Sequence, residues 1–443
     1  MKRSILVIIC MVLMHCSFAQ WAGMGTGPGG KVRALCVHNG ELYAGGDFAG
    51  LVKKWNGTSW VAVGSLSGTT SPKVCALISY NGSLYAGGAF SLSASNYNVA
   101  KWTGSTWTTV GDGLQGVSGS EVKAFCVYQG ALIAGGTFTQ SGTSSLSKVA
   151  KLVGAAWAQV GGGAPPNCTA GVHALAVHSS ELYVAGEGSA PWINKLNLLT
   201  SQWADLPNGL TQGVGIYALS TFKYPNATTP TLFIGGSFSA PLATCCTYSN
   251  GNWGTALNTF STAGSKVSCL LASSSGSVGS IYAGGVFTVQ SVANLAKKGI
   301  TTPWAAEGTN TFNNAVLAMC FFNGYVVAGG DFTSPGTNVA RYATTIGIDE
   351  VDENVIVNSV FPNPVIKNAL LKVQTKNEML QPELIIMDGN GNEISNHVER
   401  TGFDRSQNQV EFRIDREGLA AGFYFYMLID EQQNIASGKF VIE

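Results

Sequence analysis

Apolar and polar residues alternate along most of the chain in short runs broken by Gly, Asn, Ser and Thr. This two-residue period predicts β-strands rather than helices. One run recurs: LYAGGDF (42–48), LYAGGAF (84–90), LIAGGTF (132–138), LYVAGEG (182–188), LFIGGSF (232–238), IYAGGVF (281–287) and VVAGGDF (326–332). The first glycines stand at 45, 87, 135, 235, 284 and 329, with Ala185 in the fourth copy, so neighbouring copies are 42 to 50 residues apart. A period of that length is the signature of propeller blades.

Each copy sits in a unit of four strand-like pieces, a to d. Strand a is a V-x-A-L type run, as at Val32 to Leu35, Val122 to Phe125 and Val316 to Met319. The glycine run is strand b, entered through turns such as Asn39-Gly40, Asn81-Gly82 and Asn323-Gly324, whose residues suit the positive φ values of a type I′ hairpin. Strand c is the V-A-K-W type piece, as at Val52 to Trp55 and Val99 to Trp102. Strand d starts on a tryptophan: Trp60, Trp107, Trp157, Trp203, Trp253 or Trp304. That is six tryptophans for seven glycine runs. The missing one is Trp21, because Trp21-Ala22-Gly23-Met24-Gly25 aligns with Trp60-Val61-Ala62-Val63-Gly64, while the seventh unit stops after Val339-Ala340-Arg341-Tyr342. The N-terminal strand is therefore expected to complete the last blade, closing a seven-bladed ring without an exposed edge.

The units resemble kelch repeats and the propeller family that includes the central domain of galactose oxidase, through the diglycine that closes strand b and the tryptophan of strand d, over roughly residues 20–345. Within a strand, such glycines mark a close approach by a backbone or a ring. The resemblance implies a copper site of His and Tyr ligands, but the only histidines after the leader are His38, His173, His178 and His397. His38 and His178 occupy one equivalent repeat position on different blades, which favours a structural role. No cofactor is expected. The nine carboxylates of residues 20–345 include no D-x-D pair, so a calcium cluster is not expected either. Asp47, Asp112, Glu187 or Asp331 could meet across blades as a glycosidase pair, although no spacing favours it.

The b–c and d–a connections are long and vary between units, and they emerge on one face, where binding usually resides. Their aromatic and acidic members Asp47, Tyr97, Trp192 and Asp331 are the candidate binding residues. Trp192 reads equally as strand c core, and the two aspartates as caps for loop amides. Cys36, Cys126 and Cys320 share one repeat position and read as small buried hydrophobes, as do Cys75 and Cys269. Cys168, Cys245 and Cys246 lie outside that pattern, and secretion permits a disulfide among them.

The ends of the chain supply its address. Lys2 and Arg3, the apolar run Ile5 to Leu13, and Ser17-Phe18-Ala19 before Gln20 have the form of a secretory signal peptide cleaved between Ala19 and Gln20. His15 disfavours a lipoprotein signal on Cys16, and the apolar run is short for a membrane span. After Tyr342 the character changes. Residues 20–345 carry fifteen Lys or Arg against nine Asp or Glu, whereas residues 346–443 carry eight against sixteen. Neither half has a basic run, so no nucleic acid is expected.

A linker is expected over 346–358, with the acidic run Asp349-Glu350-Val351-Asp352-Glu353, and an Ig-like sandwich over 359–443. Its strands are expected at Ala369 to Gln374, Glu383 to Asp388, Val410 to Ile414, Gly422 to Leu428 and Lys439 to Ile442. Phe361-Pro362-Asn363-Pro364, Leu384-Ile385-Ile386-Met387-Asp388 before Asn390-Gly391, Leu419-Ala420-Ala421-Gly422-Phe423-Tyr424 and the terminal Gly438-Lys439-Phe440-Val441-Ile442 resemble the C-terminal sorting domain of type IX secretion substrates. The resemblance implies Sec export, type IX secretion machinery as partner, and release or surface attachment. The composite expectation is an all-β secreted or cell-surface binding protein for a glycan or protein, with a carbohydrate-active hydrolase or lyase as the alternative.

Overall fold

The computed structural model describes residues 21–343 and 355–442, apart from 69–70, 94–95, 117–118, 198, 207–209, 211, 224–226, 228, 241–243, 256–263, 274–278, 290–291, 300–301, 308–310, 324, 377–378, 380–381, 388–393, 395–396 and 431–432. The leader with its Ala19–Gln20 bond, and most of the expected linker, lie outside the described residues. The fold is all-β, with no α-helix among the described residues.

Each repeat builds an antiparallel sheet in chain order. The first comprises Lys31–His38, Glu41–Asp47, Val52–Trp55 and Trp60–Ala62. The second comprises Lys73–Tyr80, Ser83–Ser93, Asn96–Trp102 and Trp107–Thr109. The third repeats the order from Val122–Tyr128 to Ala156–Gln159. The fourth (Gly171–His178 to Gln202–Asp205) and fifth (Gln212–Phe222 to Asn252–Thr255) join through Glu187 opposite Gly215. The sixth has Lys266–Ser273, Ser280–Val289 and Val292–Lys298, with Lys297 and Ala305 exchanging 2.9 Å backbone hydrogen bonds where strand d was expected. The last joins Val316–Phe322, Tyr325–Gly330 and Val339–Ala343 to the N-terminal Trp21–Gly23, with Trp21 opposite Tyr342 and Gly23 opposite Ala340. The strands a pack side by side in order, and that of the last sheet returns to that of the first.

The seams between sheets explain the diglycine. A Cβ on Gly45 would strike the side chain of Val74 in the next sheet, and one on Gly329 would strike Val32. The second glycine is tighter: a Cβ on Gly46 would run into the carbonyl of Lys31 in its own sheet, and all seven equivalents face such a carbonyl. A side chain can yield and a strand's backbone cannot. The fourth copy therefore keeps Gly186 while placing Ala185 at the first position, buried beside Ile216. The buried Phe48, Phe90, Phe138, Phe238, Phe287 and Phe332 follow the glycines and fill the space under the b–c connections.

The turns also follow the sequence. Asn39 and Gly40 have φ of 49° and 74°, and Asn81 and Gly82 have 46° and 70°, the left-handed pair that a type I′ hairpin needs. Two of the long b–c connections are partly strand. Ser91 to Tyr97 falls largely within the strands Ser83–Ser93 and Asn96–Trp102, and Thr139 to Ser147 contains a small hairpin pairing Gln140–Ser141 with Ser144–Ser145. Short polar residues with β-branched or aromatic neighbours extend a hairpin as readily as they end one.

The tail is two antiparallel sheets around one core. One sheet has the order Val355–Phe361, Asn368–Thr375, Gln409–Asp415, Val398–Asp404; the other has Glu383–Met387, Gly422–Asp430, Gln433–Ile442. Leu371, Val373, Phe412 and Ile414 of the first sheet pack with Ile386, Tyr424, Tyr426 and Phe440 of the second. The first strand begins at Val355, inside the expected linker. The strand Val398–Asp404 was not foreseen because its VERTGFD sequence lacks an apolar alternation and it lies at a sheet edge.

Candidate functional site

Every strand a carries a β-bulge at the same place, between its first Val or Ile and the Ala or Cys two residues on: Val32/Ala34, Val74/Ala76, Val122/Ala124, Val172/Ala174, Ile216/Ala218, Val267/Cys269 and Val316/Ala318. A bulge leaves one residue outside the ladder and re-aims its side chain. The residues so placed are Arg33, Cys75, Lys123, His173, Tyr217, Ser268 and Leu317. Beside them stand the residues before the bulge, including Lys31, Lys73, Glu121 and Lys266, and those after the diglycine, including Asp47, Glu187 and Asp331. Charges from separate sheets converge here: Lys266 is within the field of Arg33, Lys123 and Glu187.

The charged groups form a chain at this end of the strands a, the mouth of the repeat region. Lys31 Nζ lies 2.9 Å from Asp331 Oδ2 across the closing seam. Arg33 grips Asp47 with both arms, Nε to Oδ1 at 2.6 Å and Nη2 to Oδ2 at 2.7 Å, which holds its guanidinium still more firmly protonated. Glu121 receives Lys73 at 2.8 Å and Lys123 at 3.0 Å. The two ammonium groups outweigh the burial of its carboxyl and hold Glu121 below the usual carboxylate range, though burial is the largest single influence. The Cys75 thiol, 3.7 Å from the same carboxylate, is pushed up to about 12 by burial and that negative charge.

Lys123 also reaches His173, Nζ to Nε2 at 3.2 Å. Burial first, then Lys123, lowers His173 to about 4, so at neutral pH the imidazole is uncharged and accepts from the ammonium. Glu187 lies 3.7 Å from the same nitrogen and accepts a 2.7 Å hydrogen bond from the Tyr217 hydroxyl. That bond and the nearby cations keep Glu187 ionised against the effect of burial. Lys266 closes the series with Nζ 3.3 Å from the centre of the Tyr217 ring, a cation over an aromatic face.

Of the expected site residues, the structure brings Asp47 and Asp331 to this mouth, as partners of Arg33 and Lys31 rather than as caps for loop amides. Tyr97 is elsewhere, in the extended b–c hairpin opposite Ser91, where its carbonyl accepts from the amide of Leu114 at 3.0 Å. Trp192 is buried in the core at 5% exposure, with φ 58°, its indole donating to the carbonyl of Gly188 at 3.3 Å. It stands where Asn98, Asn294 and Asn338 stand in other repeats, just before the strand c residue that pairs with the first residue of the diglycine position, and these share its left-handed backbone. Asp112 does not join the mouth's ion pairs. His38 and His178 are buried at equivalent positions, each edge-on to a tyrosine, Tyr43 and Tyr183.

Cys75 was grouped with the packing cysteines but occupies the bulge position of Arg33, not the position of Cys36. Cys168, Cys245 and Cys246 are free and buried, and no group of three metal-ligating side chains occurs among the described residues. Sequence reasoning missed Arg33, Lys123, His173, Tyr217 and Lys266. The signal was present: the variable letter of V-x-A-L is a chain of chemistry-bearing residues in a repeat whose other positions are apolar.

The tail can be placed among known families: the secretion system C-terminal sorting domain matches residues 359–443. No curated protein matches the chain. Among solved structures, the chain is similar to the computationally designed Ika8 protein, at 15% identity over 73% of this chain and 99% of that one, with a TM-score of 0.45. It is also similar to a GH74 xyloglucanase from Xanthomonas campestris, at 12% identity over 80% of this chain and 59% of that one, with a TM-score of 0.47. Residues 359–443 are thus a type IX sorting domain, which implies contact with the type IX secretion machinery and a secreted or cell-surface destination for the repeat region it carries.

Proposed function

We propose that the repeat region is a seven-bladed, kelch-like propeller that binds an extracellular glycan or protein at the mouth of its central channel. The tail is its Ig-like sorting sandwich, and the leader is cleaved between Ala19 and Gln20. The observation that carries this reading is the bulge repeated in every strand a, which turns one residue per sheet out of the ladder at the end where strand b enters the variable connections. A rigid ring of strands presenting Arg33, Lys123, His173 and Tyr217 at one mouth is a preformed polar site.

Binding fits the electrostatics better than hydrolysis. A glycosidase needs one carboxyl kept protonated at working pH. Glu121 and Glu187 are both held ionised by the cations and the hydroxyl around them. Asp47 is committed to both arms of Arg33. The test is retention of the purified mature chain on a glycan array, with reducing-end release measured on the ligands retained. Retention without turnover is expected. Turnover abolished by Glu187→Gln would replace binding with catalysis.

A further inference from the structure

Five cations and four carboxylates surround the mouth, and His173 is neutral. Asp331 takes Lys31, Asp47 takes Arg33, and Glu121 takes both Lys73 and Lys123. Glu187 is occupied by the Tyr217 hydroxyl. Lys266 is left with a ring face and, among the described residues, no ion pair. Its ammonium is half-buried, and the largest influences on it besides burial are Glu187, which favours its charge, and Lys123 and Arg33, which oppose it. A half-buried ammonium whose donors meet a ring face, with no carboxylate within ion-pair distance among the described residues, is costly in the empty protein.

The ring is also lopsided. Its first four sheets contribute long charged side chains to the mouth, whereas on the last three, besides Tyr217, Lys266 and Asp331, which is taken by Lys31, the corresponding positions are Gly215, Ser237, Ser268, Val286, Ala315 and Leu317, all uncharged. Lys266 therefore stands at the edge of an uncharged sector. Among the described residues, the connections at this end of the strands carry hydroxyl and amide side chains, such as Ser120, Thr137, Asn313 and Thr333.

We propose that this sector receives one anionic group, a carboxylate or sulfate carried on an extracellular glycan, seated on Lys266 with Lys123 and Arg33 nearby. The proposal rests on the reading of the mouth as a binding site and specifies its ligand. The anion completes the charge balance that the four carboxylates leave short, and sugar hydroxyls find the hydroxyl and amide side chains of the surrounding connections. A sugar ring brings several hydroxyls to those groups beside its charge, whereas an acidic peptide brings one backbone amide per residue.

The test uses the full mature chain titrated with polygalacturonate, its fully methyl-esterified form, dextran sulfate, unmodified dextran and poly-glutamate. Lys266→Met removes the charge while keeping an unbranched stem over Tyr217, and Lys151→Met, on an exposed strand position, is the control. Binding to polygalacturonate assigns a carboxylate ligand, and binding to dextran sulfate a sulfate ligand. Either should weaken on the order of tenfold or more in Lys266→Met, the loss typical of one charge-assisted contact, and hold in Lys151→Met. The melting temperature of unliganded Lys266→Met should equal or exceed that of wild type. A marked fall would make Lys266 a structural residue and overturn the proposal. Equal binding of the methyl ester, or unchanged binding by Lys266→Met, overturns the anionic assignment but leaves the mouth a binding site. Preference for poly-glutamate overturns the glycan class, and failure to bind any of the five polymers overturns the anionic-glycan proposal while the broader array still tests the mouth.

Discussion

Trp21 donates its indole N–H to the backbone carbonyl of Glu307 at 2.8 Å, across 286 residues of sequence. The same latch recurs at successive seams. Trp60 donates to Met24 at 3.1 Å, Trp107 to Val63 at 2.7 Å, Trp157 to Val110 at 3.0 Å and Trp203 to Gly163 at 2.9 Å. Each tryptophan is the first or second residue of the fourth strand of one sheet and holds the connection just beyond the fourth strand of the sheet before. Trp107→Phe keeps most of the ring's packing but orphans a buried carbonyl, so a loss of about 1–3 kcal/mol is expected in denaturant unfolding. Trp21→Phe should cost a similar amount and act at the seam where the two ends of the repeat region meet.

The two glycines of each pair should respond differently to the same substitution. Gly45→Ala presses on the Val74 side chain, and the overpacking costs about 1–3 kcal/mol. Gly45→Ala combined with Val74→Ala should recover part of that loss, a coupling that a double-mutant cycle measures. Gly46→Ala meets the carbonyl of Lys31, and trimming a neighbouring side chain cannot relieve it. It should be the more damaging change, with no rescue from Val74→Ala. Equal costs, or equal rescue, would contradict this account of the seam.

Just before the strand c residue that pairs with the first glycine, the backbone is left-handed whatever residue stands there: φ is 69° at Asn98, 68° at Asn294 and 62° at Asn338, but also 66° at Lys148. Asparagine tolerates this region better than lysine. At Asn98 and Asn294 its side-chain oxygen also accepts from the amides of Phe90 and Phe287. Lys148→Asn should therefore stabilise the chain by roughly 0.5–1 kcal/mol, read as a raised denaturation midpoint with an unchanged slope.

Strand order was legible because the repeat is written in residues with strong geometric requirements. Asn39-Gly40 demands its turn, Gly46 its close approach, and Trp60 its seam. Ala185 had already indicated which of the two glycines could be replaced. The mouth was less legible because its residues share a place and not a type. Arg33, Cys75, Lys123, His173, Tyr217, Ser268 and Leu317 are unlike one another, and only the bulge, a property of backbone pairing, makes them equivalent. Trp192 reads equally as a binding residue and as strand c core in the sequence, because only the left-handed turn that buries it separates the two. In the tail, apolar alternation found the core strands and missed the edge strand Val398–Asp404, which has little to bury.

Acid should weaken the fold through His173, and the sign follows from its burial. The folded protein holds this imidazole at about 4, below its ordinary 6.5, because it is buried against Lys123. Between those values the unfolded chain binds the proton more readily, so stability falls as pH drops through 6.5 and the loss is complete once pH is below about 4. Within the window the slope approaches about 1.4 kcal/mol per pH unit for one group. His38 and His178 are also lowered, mainly by burial, and add to the slope with the same sign. Glu121 and Glu187, held below their ordinary value of 4.5, lose their contribution only at lower pH, so the range from 6.5 to 5 isolates the histidines. His173→Asn leaves His38 and His178 in place and should flatten the fall in unfolding free energy between pH 7 and pH 5. An unchanged slope would mean that the ammonium of Lys123 moves away as the imidazole becomes protonated, and that the contact between the two is not held rigidly by the bulges that present them.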